Sequence, residues 1–529
     1  MRMRNIMLAT LLGASVVANA QDTYLNDRLT ATDDVIGSAR YVGMGGALGA
    51  LGADISVSSS NPAGLGLYRR SEVGLTFGAV VPTGGGWLKS EVKGEKLAKG
   101  SFDQLGFVWS IKLDGDKLKY VNFATNYQKK ANYNMGFFAD NMHLGGLSQM
   151  DQLAELATGV NGESYMSDYN LAGLAAVPYT NPEDPTVNNY YLNHDATNNT
   201  YSNYDRSGSN KYARHQWGSL QSYDVNISFN VKDRFYTGLT MGLDNIDYSS
   251  WSDYMEYKLD GTENYALRND RDISGHGVNV KVGFILRPIK NDPLRVGLAI
   301  ETPTWYRVQN STYMWLDNSE EVESYLEYTM HTPWRARLSL GSTVDKYLAW
   351  GVEYEYANIA KTRMGFPTYN GYDGPASSYA NTGDYAMNLH TEDIMRGQHT
   401  LKLGLEVKPI DEVALRVGYN FVSSRYKKNP TFDQFNIESP AMNYTTNTDF
   451  MSLGATNIFT FGLGYKYKKF FADIAYKYRT QSGDFYAFDT GFSKGGQFRT
   501  DNPTLPTSID PVNVNMNRHH VQLSLGFKF

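Results

Sequence analysis

The last nine residues, Val521-Gln522-Leu523-Ser524-Leu525-Gly526-Phe527-Lys528-Phe529, alternate apolar and polar and stop on an aromatic. Successive side chains of a β-strand point to opposite faces. Val521, Leu523, Leu525, Phe527 and Phe529 therefore share one apolar face, and Gln522, Ser524, Gly526 and Lys528 share the other. A strand that is apolar outside, polar inside and ends on an aromatic is the hallmark of bacterial outer-membrane barrels. The same alternation recurs through the chain, for example in Leu401-Leu403-Leu405-Val407 and Val413-Leu415-Val417-Tyr419-Phe421.

The N-terminus leads to the same expectation. Arg2 and Arg4 precede an apolar run from Ile6 to Val17, followed by Ala18-Asn19-Ala20. This order predicts a secretory signal peptide over 1–20, cut after Ala20, because the run is too short to span a bilayer as a helix. No later segment offers ~20 consecutive apolar residues, so a membrane-inserted form must cross with strands. A barrel needs only every second residue apolar, which suits a mean hydropathy of -0.44.

Composition narrows the class. With no cysteine, disulfides do not staple the chain. Its 39 tyrosines suit membrane–water interfaces, where the ring is apolar and the hydroxyl wet. A net charge of -6 argues against nucleic acid as a partner.

Turn lengths separate a barrel from a soluble sandwich. Short turns at 114–117, 231–234, 290–292, 344–346, 409–412 and 466–469 alternate with long polar connections at 83–100, 136–215, 249–274, 303–331, 361–396, 427–455 and 482–516. Thirteen connections predict fourteen strands, an even number as bacterial single-chain barrels require. The expected fold is all-β, a 14-stranded antiparallel transmembrane barrel over 71–529, with residues 21–70 before its first strand.

Those preceding residues carry the most specific pattern. Ala39-Arg40-Tyr41-Val42-Gly43-Met44-Gly45-Gly46-Ala47 is followed by Ala53-Asp54 and then Asn61-Pro62-Ala63. Glycines at 43, 45, 46, 49 and 52 permit positive φ and close backbone contact. Pro62 fixes its own φ and keeps Asn61 out of the α region, so the Asn61 side chain is placed to bond nearby backbone. A dinucleotide loop is excluded by the lack of a preceding strand and the misplaced third glycine. In these three motifs and their order the segment resembles the N-terminal hatch of the FadL/TodX family of outer-membrane hydrocarbon transporters. Beyond the hatch and the last strand the resemblance is architectural. It implies a plug inside the lumen, with Gly43, Gly45, Gly46, Asn61, Pro62 and Ala63 as its motif.

The longest loop, 136–215, holds Leu147, Met150, Leu153 and Leu156 at helical spacing behind a Ser148–Asp151 capping box, and a second apolar patch at Leu171, Leu174 and Val177. Such spacing fits a groove that catches an apolar ligand and equally fits packing of the loop onto the rim. Lumen-facing Lys281, Lys402 and Arg416 are candidates for meeting a ligand carboxylate, or for pairing with lumen acids such as Glu353 and Glu406. Asp270-Arg271-Asp272 mimics the start of a calcium loop, but Lys281 stands where the bidentate acid belongs. The nine histidines show no metal spacing, and no nucleophile–base pair is legible. Neither a cofactor nor an enzymatic activity is expected.

The family resemblance implies passive uptake of a hydrophobic compound, foremost a long-chain fatty acid. Its route would be loop capture, an internal pocket, hatch rearrangement and lateral exit near 122–131. A sixteen-carbon chain left bare in water costs on the order of 12 kcal/mol, which a wide aqueous pore does nothing to offset. Other relatives with this fold and hatch serve protein secretion by holding cargo, and a plain porin is a further alternative. Expected surroundings are outer-membrane lipid and lipopolysaccharide, with the barrel-assembly machinery meeting the strand that ends at Phe529.

Overall fold

Backbone polar groups placed in hydrocarbon must all be paired, so each wall strand needs a neighbour on both edges. The computed structural model describes residues 21–32, 34–83, 99–159, 164, 166–176, 179–180, 188–189, 191–203, 205–290, 292–317, 321–367, 381–427, 439–488 and 509–529. The expected signal peptide and Val177 lie outside these residues. The wall consists of β1 (Glu72–Thr83), β2 (Lys99–Lys112), β3 (Leu118–Asn132), β4 (Ser207–Val231), β5 (Phe235–Lys258), β6 (Glu263–Leu286) and β7 (Arg295–Glu301). It continues with β8 (Arg335–Val344), β9 (Leu348–Asn358), β10 (Gly397–Ile410), β11 (Val413–Val422), β12 (Phe450–Tyr467), β13 (Phe470–Tyr486) and β14 (Asn517–Lys528).

Each strand pairs antiparallel with the next in chain order. The β14 strand returns to β1, in register from Glu72↔Lys528 to Thr83↔Asn517, and closes a fourteen-stranded barrel. The alternation read from the sequence becomes two surfaces. Leu401, Leu403, Leu405, Leu415, Val417 and Leu523 face outward, while Thr240, Asn279, Glu353, Thr460 and Gln522 are buried inside.

Several strands run well past the bilayer. The β5–β6 ladder continues to Tyr257↔Glu263, through most of the predicted connection 249–274. Segments Trp305–Leu316 and Val322–His331 likewise form a paired hairpin within the predicted connection 303–331. Above the membrane neither face needs lipid, so the hydropathy alternation fades while the ladder persists. The calcium-like Asp270-Arg271-Asp272 sits inside this ladder, opposite Trp251, Ser250 and Ser249, and is no loop.

Helices lie inside the barrel or over its mouth: α1 (Gln21–Thr30), α2 (Ala39–Gly43), α3 (Gln149–Thr158), α4 (Leu171–Ala176) and α5 (Tyr385–Ile394). None among the described residues is long and apolar enough to cross a membrane. The capping box read from the sequence starts α3, with Ser148 and Asp151 in their reciprocal roles.

Placing a cation in the middle of the lipid-facing row of β11 tests this orientation. Val417→Arg should lower unfolding stability in vesicles by about 2–4 kcal/mol, read from a urea titration.

Candidate functional site

The N-terminal segment fills the lumen and seats its motif against the wall. Ser38 caps α2, with Ser38 Oγ accepting from the Tyr41 N–H and donating to Asp54 Oδ2 at 2.7 Å. The chain then turns through Gly45 and Gly46, whose φ values of 60° and 76° favour glycine. Gly43 is absent from the positive-φ residues and is needed for approach instead. A Cβ on Gly43 would sit 3.1 Å from the Cα of wall residue Gly462, and one on Gly45 would sit 3.3 Å from the Cα of Gly418. Glycines of the plug thus meet glycines of β11 and β12, letting backbone pack on backbone.

The Asn61-Pro62-Ala63 turn is the second anchor. Asn61 is extended at φ -135°, and Pro62 opens a 3₁₀ turn, Pro62–Leu67. Asn61 Nδ2 donates to the Gly49 carbonyl at 2.9 Å and to the Phe284 carbonyl of β6 at 3.4 Å. Asn61 Oδ1 accepts the Ala63 N–H at 3.2 Å. One amide therefore ties the turn, the glycine stretch and the wall together. Gly283 leaves room for it, since a Cβ there would lie 2.9 Å from Pro62 Cδ.

The three lumen cations from the sequence all sit in ion pairs at plug depth. Lys281 Nζ is 3.2 Å from Asp224 Oδ1, and Ser58 of the plug donates to the other oxygen of Asp224 at 2.9 Å. Lys402 Nζ is 2.8 Å from Glu353. Arg416 Nε lies 2.7 Å from Glu406 and its Nη1 lies 2.5 Å from Asp473. The plug joins this network through Arg40, 3.4 Å from Glu406. A ligand carboxylate would have to displace these partners.

A separate apolar cap closes the outer mouth. Leu147, Met150, Leu153 and Leu156 are at most 2% exposed and lie in one cluster with Tyr254, Tyr265, Met314, Phe485 and Phe488. They form the interior of the cap in this conformation rather than an open groove. Buried Glu256 accepts from Ser148 Oγ at 2.5 Å, the Gln149 N–H at 3.0 Å, and the hydroxyls of Tyr254 and Tyr265. It latches the start of α3 to the tops of β5 and β6. Nearby, burial pushes the Asp151 carboxyl up to about 7, against the Ser148 N–H, which favours the charged form.

Between cap and plug lies α1, which no alternation or motif announces. Its Tyr24 ring lies 5.5 Å from that of Tyr426, and Asp27 accepts from Arg425 and from the Tyr426 hydroxyl, both at 2.7 Å. Thr23 reaches His390 of α5, where burial lowers the imidazole to about 3. Beside α1 is a cavity of ≈ 80 Å³, lined in part by Ala131, Asn132, Tyr133 and Met135. Beneath the plug a second cavity of ≈ 300 Å³ is walled by charged residues including Arg40, Asp54, Glu72 and Glu406.

The wall ladder is interrupted next to the smaller cavity. The β2–β3 ladder stops at Gln104↔Gln128, although β2 begins at Lys99 and β3 runs to Asn132. Toward β4 the register of β3 slips between Lys129 and Ala131. Lys130 turns inward to Asp244 at 2.7 Å. Only side chains bridge the missing rungs: Lys129 donates to Ser101 at 2.8 Å, and the rings of Phe102 and Tyr127 stack at 5.5 Å. The resemblance implies a lateral exit near 122–131, and the slip of β3 lies at the end of that stretch. Earlier in that stretch Asn122 holds the plug through the Leu65 carbonyl at 2.8 Å.

No protein-family model and no curated protein sequence matches the chain. Among solved structures, it is similar to a Pseudomonas aeruginosa FadL homologue at 11% identity, over 98% of this chain and 100% of that one, with a TM-score of 0.48. It is also similar to the Ralstonia pickettii toluene transporter TbuX at 12% identity, over 94% and 99%, with a TM-score of 0.46. The monoaromatic hydrocarbon channel CymD is similar at 10% identity, over 93% and 97%, with a TM-score of 0.47.

Two outcomes follow from this geometry. Asn61→Ala should loosen the plug locally by about 1–3 kcal/mol, raising hydrogen exchange across 44–67 while the barrel strands stay protected. For Asp151 the folded pKa exceeds the unfolded value of about 3.9, so its contribution is greatest below pH ~4 and is lost as pH rises to ~7. Corrected exchange protection of α3 should therefore fall between pH 5 and pH 8, and Asp151→Asn should flatten that profile.

Proposed function

We propose that the chain passively takes up hydrophobic small molecules across the outer membrane, with long-chain fatty acids as the leading substrate class. The observation that carries this reading is the break in the β2–β3 ladder beside a cavity with an apolar wall. Backbone rungs between β2 and β3 are missing beyond Gln104↔Gln128, so a ligand leaving sideways meets few backbone bonds at this point. The plug and its ion pairs occupy the lumen below, which suits an apolar solute leaving into lipid better than a polar solute diffusing through water.

On this route a ligand enters by loosening the apolar cap around α3, passes the cavity beside α1 and leaves between β2 and β3. The motif glycines and Asn61 hold the plug so that only limited rearrangement is needed. Cargo binding for protein secretion is the alternative, and stoichiometric co-purification of a secreted protein would favour it.

The chain has no cysteine, so an engineered pair is unambiguous. Ser101→Cys with Lys129→Cys puts one thiol on each side of the break, where a lysine-length contact spans it, for bridging by a short reducible bis-methanethiosulfonate. Bridging should abolish uptake of a labelled fatty acid into cells, and reduction should restore it. Uptake that persists in the fully bridged protein would rule out this exit.

A further inference from the structure

The lipid-facing wall is dented near the periplasmic rim, the side on which the short turns lie. A groove of ≈ 530 Å³ crosses β12, β13, β14 and β1, where the barrel closes. Cross-strand register explains its floor. Tyr465, Ala472, Leu525 and Leu75 stand in one row across these four strands, and Ala472 is the small member. The next row toward the turn is Tyr467, Phe470, Phe527 and Val73. Phe470 is 62% exposed and its ring lies 4.8 Å from that of Phe527, so these aromatics stand up as a rim. Every side chain lining the groove is aliphatic or aromatic, and its size suits a ligand of the bulk of one acyl chain.

Two ammonium groups stand at the end of this floor. The turn between β12 and β13 carries Lys468 and Lys469, both exposed. Lys468 Nζ lies 5.2 Å from the centre of the Tyr467 ring, and Lys469 Nζ lies 5.8 Å from that of Phe527. The rings that rim the groove therefore hold the cations beside it. Acids on the same side of the barrel are engaged elsewhere, Glu72 with Lys528 at 2.7 Å and Asp411 with Lys346 at 3.0 Å. Among the described residues neither Lys468 nor Lys469 forms an ion pair, with Glu412 or any other carboxylate.

We propose that this groove binds one anionic glycerophospholipid of the periplasmic leaflet, of the phosphatidylglycerol class. One acyl chain lies over Ala472, between Tyr465, Leu525 and the Phe470–Phe527 rim, and the phosphate meets Lys468 and Lys469. The whole outer wall touches lipid, but here a concave apolar floor coincides with two cations. A lipid of net negative charge gains from both ammonium groups, whereas a zwitterionic one brings its own cation to the same place. The site lies at the opposite end of the strands from the β2–β3 break and does not depend on the proposed uptake.

The test is native mass spectrometry of the full chain in neutral maltoside detergent, titrated with dioleoyl phosphatidylglycerol or dioleoyl phosphatidylcholine. The first phosphatidylglycerol should bind about ten-fold or more tighter than the first phosphatidylcholine. Lys468→Gln with Lys469→Gln should bring the two lipids to within about two-fold of each other. Lys117→Gln with Lys232→Gln removes the same charge from adjoining short turns and should leave the preference intact. Ala472→Trp fills the floor and should weaken the first binding event of both lipids several-fold. Equal affinities, a preference that survives Lys468→Gln with Lys469→Gln, or one lost equally in the control pair would overturn the site. So would a first binding event untouched by Ala472→Trp. A dimer that Ala472→Trp dissolves would give the groove to a second copy of the chain, and would overturn the lipid site as well.

Discussion

Every feature of this protein follows from the need to pair backbone N–H and C=O groups inside hydrocarbon. An open sheet would leave two edges unpaired, so β14 must return to β1, and it does so over the full length of β1. Closure fixes an interior that lipid cannot reach. That interior has to be filled, and the side chains pointing into it are polar because the other face has taken the apolar ones. The lumen is consequently held by ion pairs and amide contacts around a small apolar cluster, in which Met44, Leu48, Val57 and Leu65 of the plug meet Val108 and Ile458 of the wall.

The plug is fitted to that polar interior in two ways. Where it must come closest, glycine meets glycine, and chain can lie on chain at Gly43–Gly462 and Gly45–Gly418. Where it must be held in register, a single side chain spans several partners, as Asn61 does between Gly49, Ala63 and Phe284. Arg40 and Ser58 add links to the wall carboxylates Glu406 and Asp224. Such a plug resists wholesale ejection. In the side wall, by contrast, the missing β2–β3 rungs and the slip of β3 against β4 form a local weakness.

Above the plug the chemistry changes. The cap over the mouth is an ordinary apolar core, built on α3 and α4 and latched by the buried Glu256 carboxylate. Between cap and plug, Arg28, Arg214, Arg425, Arg479 and Arg518 gather around α1 with Asp27 and Asp34. The molecule is therefore layered along its axis, with an apolar cap, an arginine-lined chamber, a zwitterionic plug and a charged vestibule below.

Much of this layering is legible in the amino-acid sequence alone. Strict alternation from Leu401 to Val407 and from Val413 to Phe421 demands lipid-facing strands, because period-two hydropathy has no other stable solution in a bilayer. Short turns alternating with long connections set the strand count, and the spacing of Leu147, Met150, Leu153 and Leu156 announces α3. Other features lack a local signal. Once β5 and β6 leave the membrane their outer faces no longer need apolar residues, so the ladder there reads as loop. The α1 helix is polar and short, and its conformation is chosen by Tyr426, Arg425 and Tyr328 across the lumen. Which carboxylate claims Lys281, and where five distant arginines meet, depends on barrel register and on the path of the plug. Those are long-range pairings between residues far apart in the chain, and periodicity in a single strand carries no information about them.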